Sequence, residues 1–266
     1  QLDAVASEAL SGTVFFEMGD TLWGKAEGGA LGADGKIVEV KRAYIDWMVP
    51  QTDLKVRMGL QGVALPSFTT GSTVLNDDVA GITASYQFNE NVGLTALWAR
   101  PFNDNSSYTK DYPGKAYDNY MDNMDAFALL VPLSFDGVKV TPWGLYSQMG
   151  RNASQMDTFA SAGAIAGYED SLGRTIAGQK IKPWWVGLAA EISVFDPFVL
   201  KLDAVYSSAK GSGKWANDTI KSNWRGKYHG SDFESRGWLV IAKLEYKMDN
   251  FTPGIIGWYG SGDEIE

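Results

Sequence analysis

A chain of 266 residues with a net charge of −9 and a pI near 4.7 lacks the basic surface that nucleic-acid binding requires. Cysteine is absent and His229 is the single histidine, which argues against thiol catalysis, disulfide scaffolds, Cys-based metal sites and zinc catalysis. The 45% hydrophobic content includes no run near the roughly 20 apolar residues of a spanning helix, whereas 30 glycines and 13% aromatics point to a β protein with many turns.

In chain order, residues 1–5 read as the tail of a strand and 6–11 as a turn. Residues 12–20 read as a strand with Val14, Phe16 and Met18 on one face and Thr13, Phe15 and Glu17 on the other. A glycine-rich loop over 21–36 follows. The stretch 36–61 is a hairpin around a turn at 50–53. Ala43, Ile45, Trp47 and Val49 share one face of the first arm, and Leu54, Val56, Met58 and Leu60 share one face of the second. Pairing across the turn sets Val49 against Leu54, Trp47 against Val56 and Ile45 against Met58, with Asp46 against Arg57 on the polar face. Glu39 and Lys41 fall on the apolar face, but far from the turn.

Residues 62–78 read as a long strandless loop. Alternation resumes over 79–88 and, past a tight turn at 89–91, over 92–98, with Ile82, Tyr86 and Phe88 facing the same way as Leu94 and Trp98. A polar loop covers 101–123. The pair 124–134 and 138–147 alternates poorly. Phe127, Leu129 and Val131 share the face of Asp125, and Pro132 and Pro142 each remove a ladder donor. Such a pair is expected against a neighbouring subunit or an inward loop. The longest loop, 148–182, contains SAGAIAGYEDSLG, which suits a short helix. Clean alternation returns over 184–194 and 198–207, with Val186, Leu188, Leu200 and Leu202 on one face and Glu191 beside Lys201 on the other. A polar loop over 208–235 leads to a strand with Trp238, Val240, Ala242, Leu244 and Tyr246 opposite Lys243 and Glu245. A turn at 247–250 and a strand over 251–260 follow.

A sheet with one apolar and one charged face packs on a second sheet in a soluble sandwich, or faces lipid outside an outer-membrane barrel. Two features of the whole chain favour the barrel. Short and long connections alternate about five times, as tight turns and long external loops do in such barrels. Trp47, Tyr86, Phe88, Phe135, Phe195, Phe198, Tyr246 and Phe251 cluster at the short turns, and Trp98, Trp143 and Trp238 near the other strand ends, as two interfacial girdles would. The expected fold is all-β, a transmembrane antiparallel β-barrel in one domain over residues 1–266.

The blocks QLDAVASEALSGTVFFE, RAYIDWMVPQTDLKVRMGLQG and VAGITASYQFNENVGLTALWARPFNDN resemble the outer-membrane homotrimeric porins of sulfate-reducing bacteria, of the general bacterial porin type. The resemblance covers the first hundred residues well and the remainder loosely. It implies a barrel of about sixteen strands, roughly twelve of them in this chain, with the others preceding Gln1 and following Glu266. It also implies a trimer in the Gram-negative outer membrane, bounded by lipid bilayer and lipopolysaccharide, that passes small hydrophilic solutes and ions without catalysis. The alternative from another class is a non-conducting β-sheet binding or adhesion protein that displays its long loops at the cell surface.

No catalytic constellation stands out. His229 sits in a polar loop without a partner. Asp118, Asp122 and Asp125 offer oxygen ligands to a structural Ca²⁺ without EF-hand spacing; no other cofactor is implied. On the barrel reading the inward charges are Glu17, Arg42, Asp46, Lys55, Arg57, Lys139, Glu191, Lys201, Lys243 and Glu245. In general porins the third external loop folds into the pore. Counting strands by the resemblance makes this the loop 65–78, with Asn76, Asp77 and Asp78 at the constriction and Arg42 and Arg57 on the facing wall. Simple cross-strand pairing, as of Asp46 with Arg57, is the plainer role for these charges.

Overall fold

The computed structural model describes residues 1–18, 38–102, 124–149, 175–216, 230–262 and 264–265. The strands are β1 (Leu2–Ser7), β2 (Leu10–Met18), β3 (Val38–Met48), β4 (Leu54–Ala64), β5 (Asn76–Gln87), β6 (Gly93–Phe102), β7 (Met124–Leu130), β8 (Leu133–Phe135), β9 (Val138–Met149), β10 (Thr175–Phe195), β11 (Phe198–Ala216), β12 (Gly230–Tyr246), β13 (Gly254–Gly260) and β14 (Glu264–Ile265). All belong to one sheet in sequence order, with β8 continuing the line of β7 along β9 and β14 pairing with β12 beyond β13. Every pairing is antiparallel. β1 and β13 are the two open edges, so the sheet is not closed into a ring.

The registers follow from the alternation. Ile45 pairs with Met58, Asp46 with Arg57 and Trp47 with Val56, the Val49 amide donates to the Leu54 carbonyl at 2.9 Å, and Glu191 pairs with Lys201. Several boundaries differ from the expected ones. The first turn contracts to residues 8–9, and β5 begins at Asn76 rather than Val79. β10 begins at Thr175, while β11 runs on to Ala216 and β12 starts at Gly230, so part of both expected long loops is strand. The segment expected to suit a helix lies outside the described residues.

Gly59 and Gly81 sit side by side where β4 crosses β5. Gly59 adopts φ +129°, and a Cβ there would collide with the Ala43 carbonyl. Gly59→Ala should therefore destabilise the sheet by about 2 kcal/mol or more. Denaturant unfolding of the two proteins reads this as a shift in midpoint with unchanged slope.

Curvature follows from chain reach. The Phe68 amide donates to Asp203 on β11 at 3.0 Å. Phe68 lies four residues past Ala64, the end of β4, a reach of about 14 Å. Along the sheet, β4 and β11 are six steps apart, about 29 Å at about 4.8 Å per step. A flat sheet cannot satisfy both, so the sheet bends around segment 65–75. That segment lies on the concave face.

The convex face carries a band of apolar side chains and is bare. Among the described residues no second sheet stacks on it, and Val186, Leu188, Leu200 and Leu244 remain 37–48% exposed. Two aromatic rows bound this band. Near the short turns, Tyr86 meets Phe88 and Phe198 meets Tyr246, each with ring centroids 5.0 Å apart. At the other end Trp98, Phe127, Tyr146 and Trp184 pair in register across four strands. Trp184 meets Tyr206 with ring centroids 5.5 Å apart, and Trp238 meets Tyr259 at 5.0 Å, both tilted, extending the row to β13.

The poor alternation of β7 and β9 has a structural cause. Phe127 and Leu129 lie on the convex face, half exposed, and take Asp125 with them. Ala126, Ala128, Trp143 and Leu145 point the other way and are buried, in one cluster with Leu65 from the crossing segment. Trp143 is thus not a girdle residue, as its position had suggested. Its face of β9 is apolar because an inward segment covers it.

Candidate functional site on the concave face

The crossing segment is held by one carboxylate. Asp203, buried in the middle of β11, accepts from Ser67 Oγ at 2.6 Å, from the amides of Phe68 and Thr69 at 3.0 and 3.1 Å, and from the Thr69 hydroxyl. Backbone and hydroxyl donors converge on a charge, an arrangement about twice as strong per bond as neutral pairs. Leu65 is buried in one cluster with Trp143, and Val74, Leu75 and Val205 pack against that cluster. Sequence reading missed Asp203, because an inward acid on a strand looks like any other wall charge.

The expected constriction residues are placed differently. Asn76, Asp77 and Asp78 are the first residues of β5, paired with Ala64, Val63 and Gly62 on β4, so they flank the root of the segment and are not in it. Once β4 and β5 extend their ladder to Asn76, what is left free to cross is residues 65–75. Asp78 receives Arg42 Nε at 2.5 Å, and the guanidinium lies over Gly62, where a Cβ would stand 2.7 Å from it. Lys41, expected on the apolar face, pairs with Glu17 at 2.8 Å and lines the same cavity as Arg42. The β-bulge opposite Phe15 and Phe16 breaks the alternation between them.

Toward the short turns, Arg57 makes a two-pronged contact with Asp46, both bonds 2.7 Å, and its guanidinium stacks 4.0 Å over the Tyr44 ring. Lys55 shares the same carboxylate at 3.2 Å. Buried Gln61 donates to the Gly81 carbonyl and accepts from Thr83, bracing this wall. Across the sheet a ladder of alternating charge runs from Lys139 to Glu191 (3.2 Å), Lys201 (3.8 Å from Glu191), Glu245 (2.8 Å) and Lys243 (2.7 Å). The registers put the charges expected inward on one face of the sheet, where most of them pair with a charge on another strand.

Asp118, Asp122 and His229 lie outside the described residues. Asp125 is on the convex face, where Arg100 holds both its oxygens at 3.0 and 3.1 Å and Trp98 donates to it at 3.1 Å. Among the described residues no three His, Cys, Asp or Glu side chains converge on a point.

Two cavities flank the root of the crossing segment and share Gly62, Val63 and Ala64. One, of about 430 Å³, is lined by Lys41, Arg42, Asn76, Asp77 and Asp78. The other, of about 300 Å³, lies toward the short turns and is lined by Lys55, Arg57, Thr83, Ser85, Thr95 and several leucines. The arrangement is two cavities on the concave face, one on either side of the root of a segment tethered to β11. Comparison of the sequence with protein-family models gives no match, and comparison with curated proteins gives none.

Proposed function

We propose that the chain forms the wall of an outer-membrane porin, a water-filled channel for passive diffusion of small hydrophilic solutes and ions. The observation that carries this reading is the bare apolar band of the convex face between its two aromatic rows, backed by a charged concave face. Lipid is the solvent that such a band suits, and the rows sit where headgroups would meet rings. Along β12, eight residues separate Trp238 from Tyr246. That is about 26 Å of strand, or about 20 Å of bilayer after a tilt near 40°, close to the apolar height of outer-membrane barrels.

In lipid the open edges of β1 and β13 must be paired. The proposed protein is accordingly a closed barrel of the sixteen-stranded porin kind, of which this sheet is part of the wall. A trimer in the Gram-negative outer membrane, contacting lipopolysaccharide, belongs to the same proposal, as does the lack of an enzymatic role. No helix among the described residues is long and apolar enough to cross a membrane, which says nothing about crossing by strands.

The test is reconstitution of the purified protein into planar bilayers. Stepwise ohmic conductance and detergent-dependent, heat-modifiable migration are expected. A water-soluble monomer without conductance would overturn the proposal and favour the surface-display alternative.

A further inference from the structure

We infer that the cavity on the short-turn side is a subsite for small amphipathic organic anions, a carboxylate carried on a short apolar body. The inference rests on the diffusion-channel reading and adds the solute class that the channel favours.

Although the chain as a whole carries a charge of −9, this cavity is locally cationic. Lys55 and Arg57 both lean on the single carboxylate of Asp46, so the trio holds two positive charges against one negative. Asp46 does not line the cavity, while both cations do. Nε and Nη2 of Arg57 are spent on Asp46, which leaves the half-exposed Lys55 ammonium with protons to give. A second donor stands nearby. Ser85 and Thr95 share one hydrogen bond at 3.0 Å, and of their two hydroxyl hydrogens one remains for a ligand. Thr83 has spent its own on Gln61.

The remaining wall is apolar, with Leu65, Leu97 and Leu130 lining the same space. Ammonium and hydroxyl donors on one side and leucines on another match a carboxylate with a hydrocarbon tail better than a bare inorganic anion, which would leave the leucines facing a hydrated charge. The cavity on the other side of the segment root differs. There Lys41 and Arg42 are balanced by Asp77 and Asp78. The ladder toward the short turns is balanced as well, since Lys139, Lys201 and Lys243 share their face with Glu191, Glu245 and Asp203, so the excess is confined to the Lys55 and Arg57 cavity. An anion passing the segment therefore meets a local field that favours it at Lys55 and Arg57, where two cations share one carboxylate.

The experiment uses the full protein in planar bilayers under a potassium chloride gradient. The added probes are potassium butyrate, butyramide as its neutral isostere and sulfate as an anion without a tail. A reversal potential favouring chloride is expected, with chloride current reduced by butyrate at concentrations where butyramide and sulfate have no effect. Lys55→Gln should weaken the butyrate block roughly three-fold, the size expected for one partly exposed charge. Leu130→Ser should weaken it while leaving the chloride preference unchanged. Cation preference, equal block by butyrate and sulfate, or an unaltered block in Lys55→Gln would overturn the inference while leaving the channel in place. Should no conductance appear, the channel reading fails by itself. The subsite is then judged by butyrate NMR line broadening on the detergent-solubilised protein, where broadening lost in Lys55→Gln supports it and no broadening overturns it.

Discussion

Asp203→Ala should free segment 65–75 from the wall without unfolding the sheet. The substitution removes every acceptor that holds Ser67, Phe68 and Thr69 and leaves two backbone amides unpaired against an apolar floor. Bonds to a charged acceptor are worth about 1.5–3 kcal/mol each and do not add, so the loss of anchoring is about 3–5 kcal/mol. The strands keep their ladders, and Leu65 keeps its place in the buried cluster at the segment root. Limited proteolysis within 65–75 should accelerate more than ten-fold while the denaturation midpoint of the whole protein moves little. Under the proposed function single-channel conductance should rise as well. Asp203→Asn, which retains one acceptor oxygen, should fall between the two. Unchanged cleavage in Asp203→Ala would show that packing against Trp143 and Val205 alone holds the segment.

Leu188→Arg is expected to be the most damaging single change on the convex face. Leu188 is 37% exposed on β10, midway between Trp184 and Ile192, opposite Ala204 and diagonal to Leu202 on β11. In water, an arginine at a half-exposed position on an open sheet face is nearly neutral. In the middle of a bilayer it costs about 2–4 kcal/mol. The two environments therefore predict different outcomes for one substitution. Reversible unfolding from lipid vesicles should show the loss, whereas Lys139→Ala, on the concave face beside Glu191, should change stability by no more than about 1 kcal/mol. Equal, small effects from both would place the convex face in water and sink the membrane reading.

Under the proposed function the charge clusters would keep the wall wet and ordered at once. Most of the long charged side chains described on the concave face have a partner on another strand, which holds them against the wall. Arg57 is the best example, fixed by two bonds to Asp46 and by the ring of Tyr44 beneath it. Lys55, holding the same carboxylate less tightly, is the member left to meet a solute.

What could be read from the residues in advance was whatever repeats with the period of a strand. Trp47 against Val56, Asp46 against Arg57 and Glu191 beside Lys201 follow from counting outward from a short turn, because each side chain's face depends only on its parity. The reading failed where a non-local partner interferes. Lys41 joins the wall of Arg42 near a bulge, Asp77 and Asp78 are drawn into the ladder of β4, and Trp143 turns inward under a segment from far earlier in the chain. Asp203 could not have been found at all, since its partners lie 134 to 136 residues away and nothing local distinguishes it. Alternation of apolar and polar residues by itself determined the pairing beside the short turns and which side chains share a face there. Only the bending of the sheet decided which face is the inside and what crosses it, because curvature brings together groups that are six strands apart and that no short-range pattern connects.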